Sequence, residues 1–432
     1  MNNLHTLWNR RYRLYALALL CTTALVICTG LLAPSGHTQP QPARSADAFV
    51  DSIGVNTHLY YDDSVYYKNY SDIIKPKLQA LGVRHIRDSA VLNYNGYLDR
   101  IKELGSLGIH AHLNADPRAT NTAQALEVVQ ILGSAVESIE GPNEYDTYQY
   151  ADSNWVNTVH SYQQNLYQTF KGNSDTAQLP VLAPSFVYPD SFSQFKDLSA
   201  YVDFGNMHNY PAGQNPGVNG YGGIDYNLNL AQQLCSTDKQ VVSTETGYFN
   251  NSNSPGVSEA AAGKYIPRLF LESFNYGIPR TYSFELINAF NDPNNSEMNF
   301  GLLRNDGSEK PAYVALKNLI GLLSEPGAKF TPGSLDYTLE GDTSNIHNTL
   351  LQKSDGTFYL ILWQEVPSFD LQQHADISVP QVQATLNLSA TISKAATYDP
   401  SNSLNPTAQY TNLNQLALNV SDSPLVIQLS PA

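Results

Sequence analysis

Short apolar runs alternate with amphipathic stretches from about residue 48 to residue 323. The apolar runs, bounded by turn residues, predict buried strands, and the stretches with a helical period predict helices. Eight strand–helix units of this length predict an α/β fold, a closed (β/α)8 TIM barrel with right-handed crossovers. The predicted strands are residues 49–57, 83–87, 109–114, 136–140, 179–184, 202–207, 240–243 and 280–284.

The pattern changes after Pro326, where strand-like runs follow one another without a helical period. The dipeptide Asp355-Gly356 between two such runs predicts a hairpin. About 105 residues of this kind predict an all-β sandwich domain. We therefore assign 47–325 to the barrel and 326–432 to a β-sandwich domain. We expect the latter to pack on the barrel as a structural part, with an independent binding module as the alternative.

The N-terminal segment carries Arg10, Arg11 and Arg13 before a charge-free apolar run over residues 14–33. This order is typical of a cleaved export signal, although the run is also long enough to serve as an uncleaved membrane anchor. Residues 39–46 are polar and contain proline, as in a short linker. We assign 1–46 to the signal or anchor with this linker, and expect a secreted protein. Beyond the apolar run only Cys235 remains, so no internal disulfide is expected.

The chain has 432 residues, with 24 Lys and Arg against 39 Asp and Glu, for a formal charge of −15. Residues 47–432 keep 20 of these cations and all 39 anions, so the expected exported part is more acidic still. This balance disfavours a nucleic-acid partner, which needs a basic surface. The ten His show no metal-ligand spacing, and no strand is followed by a Gly-rich phosphate loop. We therefore expect no metal and no cofactor, and a monomer whose only membrane contact is a retained N-terminal anchor.

Two glutamates follow predicted barrel strands at the end where barrel enzymes do their chemistry. Glu144 lies in IEGPNEYD, past the fourth strand, and Glu245 lies in VVSTETGY, past the seventh. These strands lie across the barrel mouth from one another, so the two side chains can converge. Cleavage of a glycosidic bond needs such a pair of carboxyl groups, one to protonate the departing oxygen and one to attack the anomeric carbon. The pair predicts an enzyme acting on an oligosaccharide or polysaccharide.

The GPNE segment, Glu245 and the eight units together resemble the retaining glycoside hydrolases of clan A, with families 39, 5 and 30 as the nearest in appearance. The resemblance covers residues 48 to about 323. It implies that Glu144 is the general acid/base, Asn143 the partner of the sugar 2-hydroxyl, and Glu245 the nucleophile of a double displacement.

Other positions match this pattern in part. Arg87 at the end of strand two matches an arginine that hydrogen-bonds the nucleophile in this clan. His208 and Tyr210, after strand six, match a histidine and a tyrosine of the same site. We expect three further strand-end residues to line the sugar subsite: His58, His112 and Asn114.

The eighth strand departs from the pattern. Many clan members have a tryptophan there, whereas this chain has Phe284 followed by Glu285. Phe284 can serve as the platform under the sugar, and Glu285 adds a third carboxyl that can bind hydroxyls or an amino sugar.

Two alternatives stay open: a catalytically silent barrel that binds glycans at the cell surface, and a transglycosylase using the same chemistry. Each of the supporting residues can also be an ordinary packing or ion-pair residue. Glu140, inside the fourth strand, is better explained as an internal ion-pair partner than as a catalytic group.

Overall fold

Eight parallel strands form the predicted barrel in the computed structural model, which describes residues 39–149, 152–195 and 197–431. Neighbouring strands pair in parallel around the sheet, and the first pairs with the eighth. The fifth and sixth strands meet more loosely, through a bridge between Leu182 and Phe204. The strands are Ile53–Asn56, His85–Ser89, His110–Asn114, Val136–Glu140, Val181–Leu182, Gly205–His208, Val241–Thr246 and Thr281–Ser283.

Helices connect the barrel strands and cover the outside of the sheet. Their apolar faces contribute to one large buried cluster with the strands. The α-helices are Ala46–Asp51, Val65–Lys68, Lys75–Leu81, Tyr97–Ser106, Thr122–Leu132, Trp155–Lys171, Pro189–Gln194, Ile224–Cys235, Glu259–Asn275 and Pro311–Leu323. A π-helical segment, Tyr70–Ile74, and short 3₁₀ turns at Gly133–Ala135, Tyr145–Tyr148, Ser199–Tyr201 and Ser296–Asn299 complete the set.

The C-terminal residues form mostly antiparallel strands, as predicted. The hairpin at Asp355-Gly356 is confirmed, with Gln352 opposite Phe358 and Gly356 at φ 87°. Two long strands shift register near Asn387–Ile392, so that one continuous sheet folds into two layers around its own apolar core. The strands are Ser334–Gly341, Ile346–Gln352, Phe358–Gln364, Phe369–Asp370, Ala375–Asp376, Val382–Tyr398, Pro406–Val420 and Leu425–Pro431.

Residues before the barrel belong to this C-terminal sheet, where the sequence suggested a linker. Gln39–Pro42 pairs antiparallel with residues of Ser334–Gly341, and Arg44–Ser45 pairs in parallel with Leu351 and Gln352. Both segments lie at the ends of the strand order, and proline is tolerated in edge strands because they need not donate every N–H. The polar, proline-containing composition therefore does not separate an edge strand from a linker.

The two domains share apolar packing. Trp363 and Ile361 of the C-terminal sheet lie in the same buried cluster as Tyr265 of the barrel helix Glu259–Asn275. The Tyr265 hydroxyl also accepts hydrogen bonds from the backbone N–H groups of Ser368 and Phe369, at 2.7 and 3.2 Å.

None of the helices in the described part of the chain has both the length and the apolar character needed to cross a membrane. The predicted export signal lies in residues 1–38, outside the described residues.

Candidate active site

A cavity of about 540 Å³ opens at the carboxyl ends of the barrel strands. With one exception, His112, every residue proposed for the site from the sequence lines it. These residues are His58, Arg87, Asn114, Asn143, Glu144, His208, Tyr210, Glu245, Phe284 and Glu285.

Glu144 is held by the segment that extends the fourth strand. The isolated bridge from Asn143 to Ser185 continues the pairing of strands four and five, and the Glu144 N–H donates to the Ser185 carbonyl at 3.0 Å. Gly141 is required before it, since a Cβ there would lie 1.8 Å from Oε1 of Gln163. Glu144 itself has φ 46°, a left-handed conformation that costs a non-glycine residue about 1–2 kcal/mol. Such strained residues are concentrated at functional sites.

Glu245 lies opposite, on the seventh strand, and is bound by Arg87. The Arg87 NH1 group donates to Glu245 Oε1 at 2.7 Å and to Asn56 Oδ1 at 2.9 Å. The NH2 group donates to Asn143 Oδ1 at 2.7 Å, and Asn143 also lines the cavity. Burial alone would lower the pKa of Arg87, but the charges of Glu140 and Glu245 outweigh it and raise that pKa.

Tyr210 binds the other oxygen of Glu245. Its hydroxyl donates to Oε2 at 2.7 Å. Burial raises the pKa of Tyr210 well above its ordinary value, and the charges of Glu245 and Glu144 raise it further. The phenol therefore stays protonated at neutral pH and keeps Glu245 supplied with a donor.

His208 connects the two glutamates. Its Nδ1 lies 2.9 Å from Glu144 Oε1 and 3.6 Å from Glu245 Oε2. Its Nε2 lies 3.0 Å from Thr244 Oγ1, and that hydroxyl donates its hydrogen to Asn206 Oδ1 at 2.6 Å. Thr244 must therefore accept from His208, which places a proton on Nε2.

The hydrogen bond between His208 and Glu144 determines how many protons these two side chains carry. With Nε2 protonated, a hydrogen bond between Nδ1 and Glu144 requires one more proton, carried either by the imidazole or by the carboxyl group. Burial alone would lower the pKa of His208, but the charge of Glu245 and the hydrogen bond and charge of Glu144 raise it. His208 and Glu144 therefore share a proton inside the site.

The separation of the glutamates bears on the stereochemistry that they can support. One carboxyl oxygen of Glu144 and one of Glu245 lie within 4.8 Å of each other. Retaining glycosidases have their carboxyl groups about 5–5.5 Å apart, whereas inverting ones need about 6.5–9.5 Å to admit a water. An oxygen–oxygen approach of this size is compatible with the retaining arrangement, in which the second carboxylate attacks the sugar directly.

His112 lies deeper than the sequence suggested and does not line the cavity. It is in the middle of its strand, and its two ring nitrogens lie 2.6 Å from Ser138 Oγ and 2.8 Å from Glu140 Oε2. Burial alone would raise the pKa of Glu140, but Arg87 and His112 lower it to about 2. Glu140 is thus the internal ion-pair partner that the sequence indicated, beneath the site.

Glu285 reaches the cavity from the eighth strand as a buried third carboxyl group. The Tyr66 hydroxyl donates to its Oε2 at 3.0 Å, and His58 Nε2 lies 3.5 Å from the same atom. Burial raises the pKa of Glu285 to about 8, and burial together with the charge of Arg87 lowers the pKa of His58 to about 3. Both groups are therefore neutral near pH 7. The Phe284 ring packs beside them, 5.5 Å from the His58 ring.

Sequence reasoning missed two residues that position Asn143. Asp116 and Arg118 follow the third strand and line the cavity. Asp116 Oδ2 accepts from the Asn143 N–H at 3.0 Å, and Arg118 donates to the Asn143 carbonyl. Their location just past a predicted strand end was the available signal.

Asn206 and Thr244 were also missed. Asn206 lies inside a predicted strand, where a polar residue is easily taken for part of the internal packing, and Thr244 directly follows the predicted strand 240–243, next to the more conspicuous Glu245. Only the pairing of strands six and seven brings them beneath His208.

Two groups of side chains in the described residues have donor atoms close enough to hold a cation: Glu144, His208 and Glu245, and Glu272, His347 and Glu365. In the first group Arg87 already neutralises Glu245, and the raised pKa of His208 favours a protonated ring, whereas a ligand must be neutral. In the second group Glu365 accepts from Arg268, Asn215 and Trp363. These donor sets fit hydrogen bonding better than metal binding.

Comparisons with solved structures find the same fold. A family 39 glycoside hydrolase from Bacteroides cellulosilyticus WH2 is 18% identical, with a TM-score of 0.61 over 90% of this chain and 81% of that one. A GH39 enzyme from Xanthomonas axonopodis pv. citri is 14% identical, with a TM-score of 0.59 over 92% and 98%. A GH39 β-xylosidase from Caulobacter crescentus is 14% identical, with a TM-score of 0.59 over 90% and 98%.

No family model matches the chain, and no curated protein matches it. At these identities the likeness shows the fold, a TIM barrel followed by a C-terminal β-sandwich, which is the fold expected from the sequence.

Proposed function

We propose that this protein is a retaining glycoside hydrolase with Glu144 as general acid/base and Glu245 as nucleophile. The observation that carries the proposal is the pair of carboxyl groups within 4.8 Å of each other, one bound to Arg87 and Tyr210 and the other to His208. The fold shared with family 39 enzymes supports the same class of reaction.

In the first step Glu245 attacks the anomeric carbon while Glu144 gives its proton to the departing glycosidic oxygen. Arg87 and Tyr210 keep Glu245 ionised and oriented, because each donates to a different oxygen of its carboxylate. The proton shared with His208 is available to Glu144. In the second step water attacks the anomeric carbon while Glu144 takes its proton, and the bond between that carbon and Glu245 breaks, which releases the sugar with its original configuration.

The substrate proposed is an uncharged β-linked glycan. Glucose and xylose units are the first to test, because two structural neighbours are described as a glucosidase and a β-xylosidase. Two arginines, Arg87 and Arg118, belong to the cavity lining of the described residues, and both already pair with carboxylates. A uronic acid or sulfated sugar would therefore find no unpaired arginine or lysine in this lining. Tyr60, Tyr61 and Tyr221 provide flat rings at the mouth.

Export is a further part of the proposal. It rests on the basic and apolar order of the first 33 residues and on the single cysteine in the rest of the chain. Sequencing the mature N-terminus from cells and medium tests it: removal of the apolar run supports export by a cleaved signal, and an intact N-terminus in the membrane fraction supports the anchor.

The Glu245→Ala variant tests the chemistry. We expect it to lose turnover of aryl glucosides and xylosides, because no group remains to form the intermediate. Azide should restore part of the activity by attacking from the vacated side, giving a glycosyl azide of inverted configuration. Activity equal to that of the wild type would refute the assignment. Product analysis with added sugar acceptors separates hydrolysis from transglycosylation, and binding without product would favour the silent barrel.

A further inference from the structure

One wall of the cavity comes from the loop after the sixth strand, residues 211–223, which we call the wall loop. Its residues Ala212, Gly213, Tyr221 and Gly222 line the cavity. Tyr210, which binds Glu245, directly precedes it, and His208, which binds Glu144, lies two residues earlier. The wall loop therefore continues directly from the residues that bind the two glutamates.

The wall loop is bound by a residue from the other domain. Glu365 follows the C-terminal strand Phe358–Gln364, and its side chain is 2% exposed. Its Oε1 accepts from the Asn215 amide at 2.8 Å and from the Gly217 backbone N–H at 2.8 Å. These two bonds hold the middle of the loop.

Glu365 is itself fixed on the opposite side. Arg268, a fully buried residue of helix Glu259–Asn275, donates to Oε2 at 2.9 Å and lies 2.7 Å from Oε1. The Trp363 indole N–H donates to Oε2 at 2.8 Å. Burial alone would raise the pKa of Glu365, but the charge and hydrogen bonds of Arg268 and the bonds from Asn215 and Gly217 lower it. Glu365 is thus a rigid, charged acceptor for the loop.

Close contacts at two glycines also indicate that the C-terminal domain packs on the wall loop. A Cβ on Gly217 would lie 2.6 Å from Cγ of Glu365, so the loop backbone packs directly on that side chain. A Cβ on Gly213, whose φ is 79°, would lie 2.6 Å from Cδ2 of Leu371, which also belongs to the C-terminal domain. Two glycines therefore let this domain approach the loop closely.

We infer that the C-terminal domain supports the substrate cavity, with Glu365 as a positioning residue that fixes the wall loop. The functional half of this inference rests on the proposed glycosidase activity. It assigns the β-sandwich a part in substrate binding that is distinct from that of a separate carbohydrate-binding module.

Asn215→Ala is the variant that tests this, because it removes one bond to Glu365 and leaves the ion pair with Arg268 intact. Asn219→Ala is the matched control, since Asn219 is exposed in the same loop and lies outside the cavity lining of the described residues. Gly217→Ala disturbs the same contact by steric clash and serves as the second variant.

Two quantities are measured for the wild type and the variants, each at a temperature equally far below the melting temperature of that protein. Hydrogen exchange of the amides in residues 211–223 should speed up about tenfold in Asn215→Ala and not in Asn219→Ala, as expected for loss of a hydrogen bond to a charged group. The KM for cellobiose or xylobiose should rise by a similar factor in Asn215→Ala and stay near that of the wild type in Asn219→Ala, because only the first variant loosens the wall loop.

The outcomes separate the two proposals. Equal exchange rates in both variants would overturn the role of Glu365, whether or not the protein is a glycosidase. Faster exchange without a change in KM would overturn the role of the wall in substrate binding. A wild type that cleaves no glycoside would refute the proposed function and with it the substrate half of the inference, while the exchange comparison would still decide whether Glu365 fixes the loop.

Discussion

At the scale of single residues, Arg87 orients more of the site than any single carboxyl group does. Its guanidinium hydrogens reach Asn56, Glu140, Asn143 and Glu245, so that one planar group aligns the proposed nucleophile and the sugar-binding amide over a buried carboxylate. A lysine offers three donors around one nitrogen and cannot reproduce this fork.

We expect Arg87→Lys to lower kcat/KM roughly ten- to a hundredfold, the range for loss of charged hydrogen bonds worth about 1.5–3 kcal/mol. Steady-state kinetics on an aryl glycoside measure it. Arg84→Lys is the control, because Arg84 lies in the same segment but pairs with Asp47. If both variants keep the wild-type kcat/KM, Arg87 does not orient the nucleophile.

Glu285 makes a prediction about pH and stability. Its pKa in the folded protein is about 8, because burial disfavours the charged form, whereas an unfolded glutamate has a pKa of about 4.3. Between these values the unfolded state binds fewer protons, so the contribution of Glu285 to stability is largest at low pH and is lost as the pH rises through 8.

Glu285→Gln should therefore gain in melting temperature relative to the wild type on going from about pH 5 to about pH 7. The neighbouring His58 is present in both proteins with a folded pKa of about 3, below this range, so its own contribution to the pH dependence cancels in the difference. A difference between the two proteins that does not change with pH would mean that Glu285 is ionised in the fold.

At the scale of elements, the sequence predicts where the barrel strands end, but it does not predict which residues of other elements contact the side chains there. Turn residues such as Gly141 and Pro142 mark the point where the fourth strand stops, and this alone placed Glu144 at the mouth. The sequence pattern over residues 66–80 predicts one continuous helix, but the structure has Val65–Lys68, a π-helical turn and Lys75–Leu81. Pro76 lies in the first turn of the last piece and has no N–H to continue the preceding ladder.

Contacts between distant elements could not be predicted from the sequence, for a different reason. Asn206 and Thr244 meet through strand register, and Glu365 reaches residues 215 and 217 through domain packing. Neither strand register nor domain packing produces a periodic pattern in a single sequence. His112 was misplaced because strand position alone does not tell how deep in the barrel a side chain lies.

At the scale of the whole molecule, the first and last of the described residues belong to the same sheet. Residues 39–45 pair with C-terminal strands before the barrel starts, and Trp363 lies in a buried cluster with barrel residues. Buried polar bonds, such as that from Arg268 to Glu365, cross the same interface. The two domains therefore depend on one another for burial of their apolar surface.

We expect the protein to unfold in one cooperative transition, with equal calorimetric and van't Hoff enthalpies. Differential scanning calorimetry of the full chain measures this. A chain ending at residue 325 should fail to fold, since the barrel would expose its side of the shared cluster. Two separated transitions, or a stable truncated barrel, would contradict the account.

The most direct test of the central claim is to identify the residue that carries the glycosyl group. Activated 2-fluoro-β-glucosides and 2-fluoro-β-xylosides let the first step of a double displacement proceed and slow the second, so the intermediate accumulates. After incubation, peptide mass spectrometry should find one sugar on Glu245, and none on the Glu245→Ala variant. Turnover of natural glycosides with no sugar on Glu245, or with the sugar on another residue, would contradict the proposal.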